Sequence, residues 1–202
     1  GLGMKVLLAD RLAILWNDLQ MIGFQSISTP LAWLGAAGYS LRLYFDFWGY
    51  SLMASGLMVM LGYDFIENFN HPYASKSISE FYRRWHVTLG SWFRDYVYIP
   101  LGGSRCDKKR IALNLAVVWL LTGIWHGNGF NYVIWGVVLG IMIILEKLVY
   151  GKYLQKIPIL GNLYVLVLIP LTWVVVAITD LKQLGIYFGR LFPLFGDAGI
   201  AV

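Results

Sequence analysis

The sequence is poor in two residue classes that soluble proteins use freely, cysteine and charged residues. Its 202 residues include one cysteine, Cys106, and no Cys-x-x-Cys motif, which excludes an internal disulfide and disfavours thiol redox chemistry or a cysteine-based zinc site. Charged residues make up 13% of the chain, against roughly 25% in an ordinary soluble domain. The low charge content is the first indication of a membrane setting.

Several catalytic motifs are also absent. The chain has no Gly-x-Ser-x-Gly elbow for a hydrolase serine, and neither a His-Glu-x-x-His zinc motif nor a Walker-type phosphate loop. No cleavable signal peptide is predicted, because Lys5, Asp10, Arg11 and Asp18 interrupt the first apolar segment. The chain starts with Gly and ends without a closing element, so we expect it to be a piece of a longer protein.

What the sequence does contain is apolar and aromatic. Hydrophobic residues make up 58% of the chain, which includes 9 Trp, 13 Tyr and 11 Phe, and mean hydropathy is +0.63. Aromatic residues concentrate at bilayer interfaces. We predict an all-α, polytopic transmembrane protein forming a single region over 1–202, with spans near 31–62, 111–126, 130–149 and 159–179.

Basic residues cluster in two loops on either side of the middle pair of predicted spans. Arg105 to Arg110 precede this pair, and Lys147 to Lys156 follow it. By the positive-inside rule both loops are expected in the cytoplasm, which places a multi-pass chain in the inner, cytoplasmic membrane. The net charge of +5 is confined to such short runs and does not favour a nucleic-acid partner.

The segment 78–98 is predicted to be an amphipathic helix at the membrane interface. Ser77 and Glu80 have the spacing of a capping box. At 100° per residue, the aromatic residues fall on one face and the polar ones on the other. The aromatic face contains Phe81, Trp85, Trp92 and Tyr96, and the polar face contains Arg83, His86, Gly90 and Arg94.

His126 is the strongest candidate for a catalytic residue. It ends an apolar run, and an ionisable side chain at membrane depth is a functional candidate by default. Gly123, Gly127 and Gly129 around it allow an irregular turn beside a cavity. An imidazole there can remove a proton from a hydroxyl. Asn131 is a candidate to orient the ring or contact substrate, although a helix-end cap is the favoured explanation for it.

A second group of candidates lies on the amphipathic segment. His86 is either an interfacial histidine or a second site histidine facing a substrate passage. Arg83 and Arg94, with Trp85, either meet lipid headgroups or attract an anionic acyl donor, such as the phosphates of a coenzyme A thioester. His71, beside Pro72, is expected to be a solvated loop residue.

Three sequence stretches resemble the membrane-bound O-acyltransferase family. They are ISEFYRRWH at 78–86, WFRDYVYIPLGG at 92–103 and GIWHG at 123–127. The chain is most similar to the branch that O-acetylates alginate in bacteria and less similar to the teichoic acid D-alanyl transferase branch. The resemblance implies a many-helix membrane fold around a central cavity, with His126 and His86 as the catalytic histidines.

The resemblance also implies the partners. We expect acetyl transfer to an extracytoplasmic polysaccharide, completed by a periplasmic or surface-exposed acetyltransferase partner, in contact with membrane lipid. The donor is expected to be acetyl-coenzyme A or an acyl carrier, with no bound cofactor and no metal. Two other classes remain open from the residues alone: an ion- or proton-coupled transporter segment, and a non-catalytic scaffold for an acyltransferase.

Overall fold

The computed structural model describes residues 1–193, and helices account for most of that range. Within residues 1–193 the α-helices are α1 Asp10–Ile22, α2 Thr29–Met60, α3 Ile78–Arg84, α4 Val87–Phe93, α5 Lys108–His126, α6 Phe130–Leu145, α7 Gly151–Lys156, α8 Pro158–Ala177 and α9 Leu181–Leu191. Wider π-helical turns cover Met4–Ala9, Arg94–Tyr98 and Glu146–Tyr150. Apart from an isolated backbone bridge between Phe69 and Trp85, residues 1–193 contain no strand pairing, so the all-α prediction is confirmed.

The chain divides into two units. The terminal unit comprises Gly1–Phe65 together with residues 173–193, and the central unit comprises Ile66–Thr172. The terminal unit packs α1, α2 and α9 around the buried rings of Trp16, Phe24 and Tyr187. The Tyr187 hydroxyl donates to the carbonyl of Ala32 at 2.6 Å, which fixes α9 against α2.

The central unit is organised by a close crossing of α5 and α6. A Cβ atom added to Gly136 would lie 2.5 Å from the carbonyl oxygen of Trp119, and one added to Gly123 would lie 2.6 Å from that of Tyr132. Membrane helices use small residues in this way to bring backbones together. The two glycines therefore set how closely α5 and α6 approach.

Within residues 1–193, two helical segments are long and apolar enough to cross a bilayer by length and composition. They are Phe130–Leu154 and Pro158–Ala177, with mean hydropathies of 2.1 and 2.3. They correspond to the spans predicted near 130–149 and 159–179. The segments predicted near 31–62 and 111–126 form α2 and α5, and their crossing of the membrane stays a prediction.

The segment expected to form one helix over 78–98 is interrupted in its middle. One half of the predicted capping box forms, since the amide of Glu80 donates to Ser77 Oγ at 3.0 Å, whereas the Glu80 carboxylate accepts from the amide of Lys76 at 2.9 Å. However, α3 ends at Arg84, and His86 adopts a left-handed backbone (φ 50°, ψ 55°) before α4 begins. The cause is tertiary, because residues 68–70 pair with the backbone at 84–87 and prevent the helix from continuing.

Candidate functional site

A cavity of about 740 Å³ opens within the central unit. Its wall includes His126, His86, Arg83, Arg94 and Trp85, all of which the sequence singled out. Asn131 is 2% exposed at the start of α6 and is not among the residues lining this cavity. His71 is exposed in the loop before α3, as expected. The cavity thus brings together both predicted catalytic histidines but not the predicted Asn131 contact.

His126 is the last residue of α5, and a backbone contact defines which ring nitrogen carries its proton. Its Nδ1 lies 2.7 Å from the carbonyl oxygen of Thr122. A carbonyl can only accept, so Nδ1 carries the hydrogen and Nε2 of the neutral ring holds the lone pair. The ring also packs edge-on against Trp135, with centroids 4.8 Å apart. A base of this kind can accept a proton from a bound hydroxyl.

The position of His126 follows from the glycines around it. Gly123 and Gly136 bring α5 and α6 together, which places the His126 ring against Trp135. At Gly127 a side chain would lie 2.6 Å from the ring of Tyr132, so the chain can turn into α6 only without a Cβ at that position. Trp125, the preceding residue, is 56% exposed and does not line the cavity.

His86 reaches the cavity from the bend between α3 and α4. Its ring centroid is 6.1 Å from that of Trp125. Burial, with a smaller contribution from the charge that His126 would carry, lowers the pKa of His86 to about 4. His86 is therefore uncharged at neutral pH, and its ring can accept or relay a proton or hydrogen-bond to substrate.

The cavity also has a cationic rim. Arg83 and Arg94 belong to it, although the guanidinium of Arg94 is paired with Asp95, with Nε 2.7 Å from Oδ1. Lys147 adds a further cation that the site prediction omitted. Its Nζ donates to Ser104 Oγ at 2.8 Å and to the Tyr98 hydroxyl at 3.1 Å. This rim suits a ligand that carries negative charge.

Glu146 is a wall residue that sequence reasoning missed. It is 5% exposed, and its carboxylate accepts from the amides of Ile78 at 2.7 Å and Ser79 at 3.1 Å. It thereby satisfies the first amides of α3, which have no partner within the helix. The sequence shows that Glu146 is an acidic residue at the end of an apolar run. It does not show that the partners of Glu146 are Ile78 and Ser79, which lie 68 and 67 positions earlier in the chain.

The remaining wall is aromatic. Tyr82, Trp119 and Trp135 pack edge to face, with centroids 4.7 Å apart for Tyr82 and Trp119 and 6.3 Å apart for the two tryptophans. In the part of the chain that the structure describes, no three His, Cys, Asp or Glu side chains gather as a metal-binding group. The cavity therefore combines a basic imidazole, a second neutral imidazole, an apolar wall and a cationic rim.

Comparison with known proteins identifies the family. The family model of the membrane-bound O-acyltransferases matches residues 4–187. The chain belongs to this family. A membrane-bound O-acyltransferase named "probable alginate O-acetylase" from Pseudomonas syringae is 42% identical over 194 residues, which covers 96% of this chain and 37% of that protein.

Two further relatives carry different names. A peptidoglycan O-acetyltransferase from Helicobacter pylori is 40% identical over 147 residues, covering 73% of this chain and 28% of the relative. A teichoic acid D-alanyltransferase from Bacillus subtilis is 42% identical over 106 residues, covering 49% of this chain and 27% of the relative. The resemblance to the membrane-bound O-acyltransferase family that the sequence motifs indicate is confirmed. The lower similarity to the teichoic acid D-alanyl transferase branch is confirmed as well. This membrane-bound O-acyltransferase chain spans less than two fifths of the relatives' lengths.

Proposed function

We propose that this chain carries the reaction centre of an O-acetyltransferase that modifies a polysaccharide outside the cytoplasm. The observation that carries the proposal is the state of His126, whose Nε2 holds a lone pair beside the cavity because Nδ1 donates to Thr122. The names of the relatives support the choice of acceptor, since alginate and peptidoglycan both present sugar hydroxyls.

The proposed reaction is direct transfer from an acetyl thioester. The acceptor hydroxyl oxygen attacks the acetyl carbonyl carbon while His126 Nε2 takes the hydroxyl proton. The carbon–sulfur bond then breaks, and the proton passes from His126 to the departing thiolate. The products are the acetate ester of the acceptor and the free thiol. The acceptor is either a polysaccharide hydroxyl or a hydroxyl of the partner that passes the acetyl group on to the polymer. No covalent acyl-enzyme intermediate is required.

The other wall residues have roles in holding the reactants. His86 hydrogen-bonds to a reactant next to His126, and Trp85 contributes to the apolar side of the passage. Arg83 and Arg94, with Lys147, attract the phosphates of the donor, either acetyl-coenzyme A or an acyl carrier. Asn131 is buried at the start of α6 and does not line the cavity, so its contact with substrate stays a prediction.

The proposed setting is a multi-pass position in the cell's inner membrane, surrounded by lipid. A periplasmic or surface-exposed acetyltransferase partner completes delivery to the polymer. The segment 147–156, predicted as a loop, is helical, but its basic residues and those at 105–110 still support a cytoplasmic position for both segments.

The test is acetylation of surface polysaccharide in cells that depend on the complete protein. We expect His126→Ala to abolish polymer acetylation while the protein remains in the membrane at wild-type level. The matched control is His71→Ala, because His71 is exposed and outside the cavity, and acetylation should be unchanged. The readouts are acetate released by mild alkali per sugar and an immunoblot of membranes.

Normal acetylation by the His126→Ala protein would overturn the proposal. Proton flux through liposomes containing the protein, with no acyl donor present, would instead support a transporter. Copurification of an active soluble acyltransferase with a membrane protein that turns over no donor would support a scaffold.

A further inference from the structure

The bend at His86 places a histidine where the backbone disfavours one. Its φ of 50° lies in the left-handed region, which side chains with a Cβ seldom adopt. Such conformations persist where surrounding contacts fix them, and they concentrate at functional sites. His86 also occupies the N-cap position of α4, yet its side chain makes no capping hydrogen bond to that helix.

The capping bonds come instead from Asn68, in the loop before α3. Asn68 Oδ1 accepts from the amide of Thr88 at 3.2 Å and from Thr88 Oγ1 at 3.0 Å. The carbonyl oxygen of Asn68 accepts from the amide of Val87 at 3.0 Å. Val87 and Thr88 are the first two residues of α4, whose amides have no partner within the helix.

An N-cap residue usually occupies the position before a helix and also accepts hydrogen bonds from the first amides of that helix. Here His86 occupies the position and Asn68 accepts the hydrogen bonds. A serine, threonine or asparagine at an N-cap usually has an extended backbone, from which its side chain reaches the amides of the first turn. The left-handed backbone at position 86 does not have that geometry, so the acceptor for the α4 amides comes from another residue. Because Asn68 supplies that acceptor, the residue at position 86 does not have to, and its ring lines the cavity. The neighbouring backbone pairing, in which the amide of Asn70 donates to the carbonyl of Arg84 at 2.9 Å, holds the other side of the bend.

We propose that Asn68 is a positioning residue that caps α4 in place of His86 and thereby holds the His86 ring in the reaction cavity. This inference rests on the proposed acetyltransferase function. Only the side-chain part of the contact depends on residue type, since the backbone bonds from Val87 and Asn70 persist in any Asn68 variant. Side-chain substitutions at this position therefore test the capping role directly.

The experiment is a double-mutant cycle between Asn68 and His86 in the complete protein. The rate measured is acetyl transfer from radiolabelled acetyl-coenzyme A to the polymer of the producing cells, in membrane preparations. We expect Asn68→Ala to lower the rate about tenfold in the wild-type background and less than about twofold in the His86→Ala background. Asn68→Asp retains the acceptor oxygen and should stay within about threefold of wild type.

The matched control is Asn70→Ala, which removes an exposed asparagine side chain two positions away and keeps its backbone bond to Arg84. Its rate should equal that of wild type. Equal losses from Asn68→Ala in both backgrounds would overturn the inference, because a general structural role does not depend on His86. A wild-type rate for His86→Ala would also overturn it and leave the His126 proposal standing, whereas an active His126→Ala protein would overturn the proposed function itself.

Discussion

His126 and His86 face one cavity from two kinds of backbone. His126 ends a helix of 19 residues, and its ring is oriented by Thr122, one turn earlier in that helix. His86 sits at a left-handed bend between two helices of seven residues, and the capping contacts of its bend come from Asn68. The orientation of the His126 ring is therefore set by a residue close to it in sequence, whereas the orientation of the His86 ring depends on a separate loop.

This difference predicts which of the two histidine rings keeps its position when neighbouring residues are substituted. His126 is fixed by its own helix and by the closeness of α6, so only changes to that crossing should displace it. His86 is fixed by a few hydrogen bonds at the surface of the bend, so single polar substitutions should displace it.

The largest expected effect on the acetyl transfer rate comes from removing the ring of His126 or that of His86. If His126 is the proton acceptor that we propose, His126→Ala should lower the acetyl transfer rate by about 10³–10⁴-fold. His86→Ala should lower it by about 10²-fold, because that ring binds and orients a reactant. The measurement is the initial rate in membranes at matched protein levels. Equal losses in the two variants would contradict the division of roles.

A second effect tests whether the helix crossing positions His126. Gly136→Ala adds a Cβ that would lie 2.5 Å from the Trp119 carbonyl, so α5 and α6 must separate. We expect about a tenfold loss of rate, since small displacements of catalytic groups are costly. Gly56→Ala is the control, because a Cβ there meets nothing within 4 Å. An unimpaired Gly136→Ala protein would show that the crossing does not control the site.

The smallest effect concerns pH and the stability of the His86 bend. The pKa of His86 is lowered to about 4 from an ordinary value of 6.5. Protonation therefore favours the unfolded chain, and stability due to the neutral ring is lost as pH falls from 6.5 through 4. His86→Asn, which tolerates the left-handed backbone, should show a smaller drop in melting temperature between pH 7.0 and 4.5, by a few degrees.

The control for this measurement is His71→Asn, since His71 shares the left-handed conformation at φ 47° but is exposed outside the cavity. It should melt like wild type at both pH values. Melting is followed by tryptophan fluorescence in detergent. An identical acid-induced drop in all three proteins would show that His86 does not titrate with folding.

The same contrast explains what could be predicted from the sequence. The apolar run, the glycines and His126 are neighbours in the chain, so their proximity could be predicted, and the spans predicted near 111–126 and 130–149 overlap α5 and α6 to within four residues at each end. The bend at His86 could not be predicted from the sequence. A periodicity of 100° per residue assumes a continuous helix and carries no information about pairing with residues 68–70. Asn131 does not line the cavity although it is close to His126 in sequence, so its predicted contact with substrate stays a prediction.

The carboxylate of Glu146 has a consequence for the order in which the protein is made. It is the acceptor for the first amides of α3, and it lies 68 positions further along the chain than Ile78. At about 5–20 residues per second of synthesis, those amides wait roughly 3 to 14 seconds on the ribosome for their partner. The contacts within residues 68–88 that form the His86 bend can therefore form before Glu146 is synthesised, whereas the Glu146 side of the cavity wall reaches α3 only afterwards.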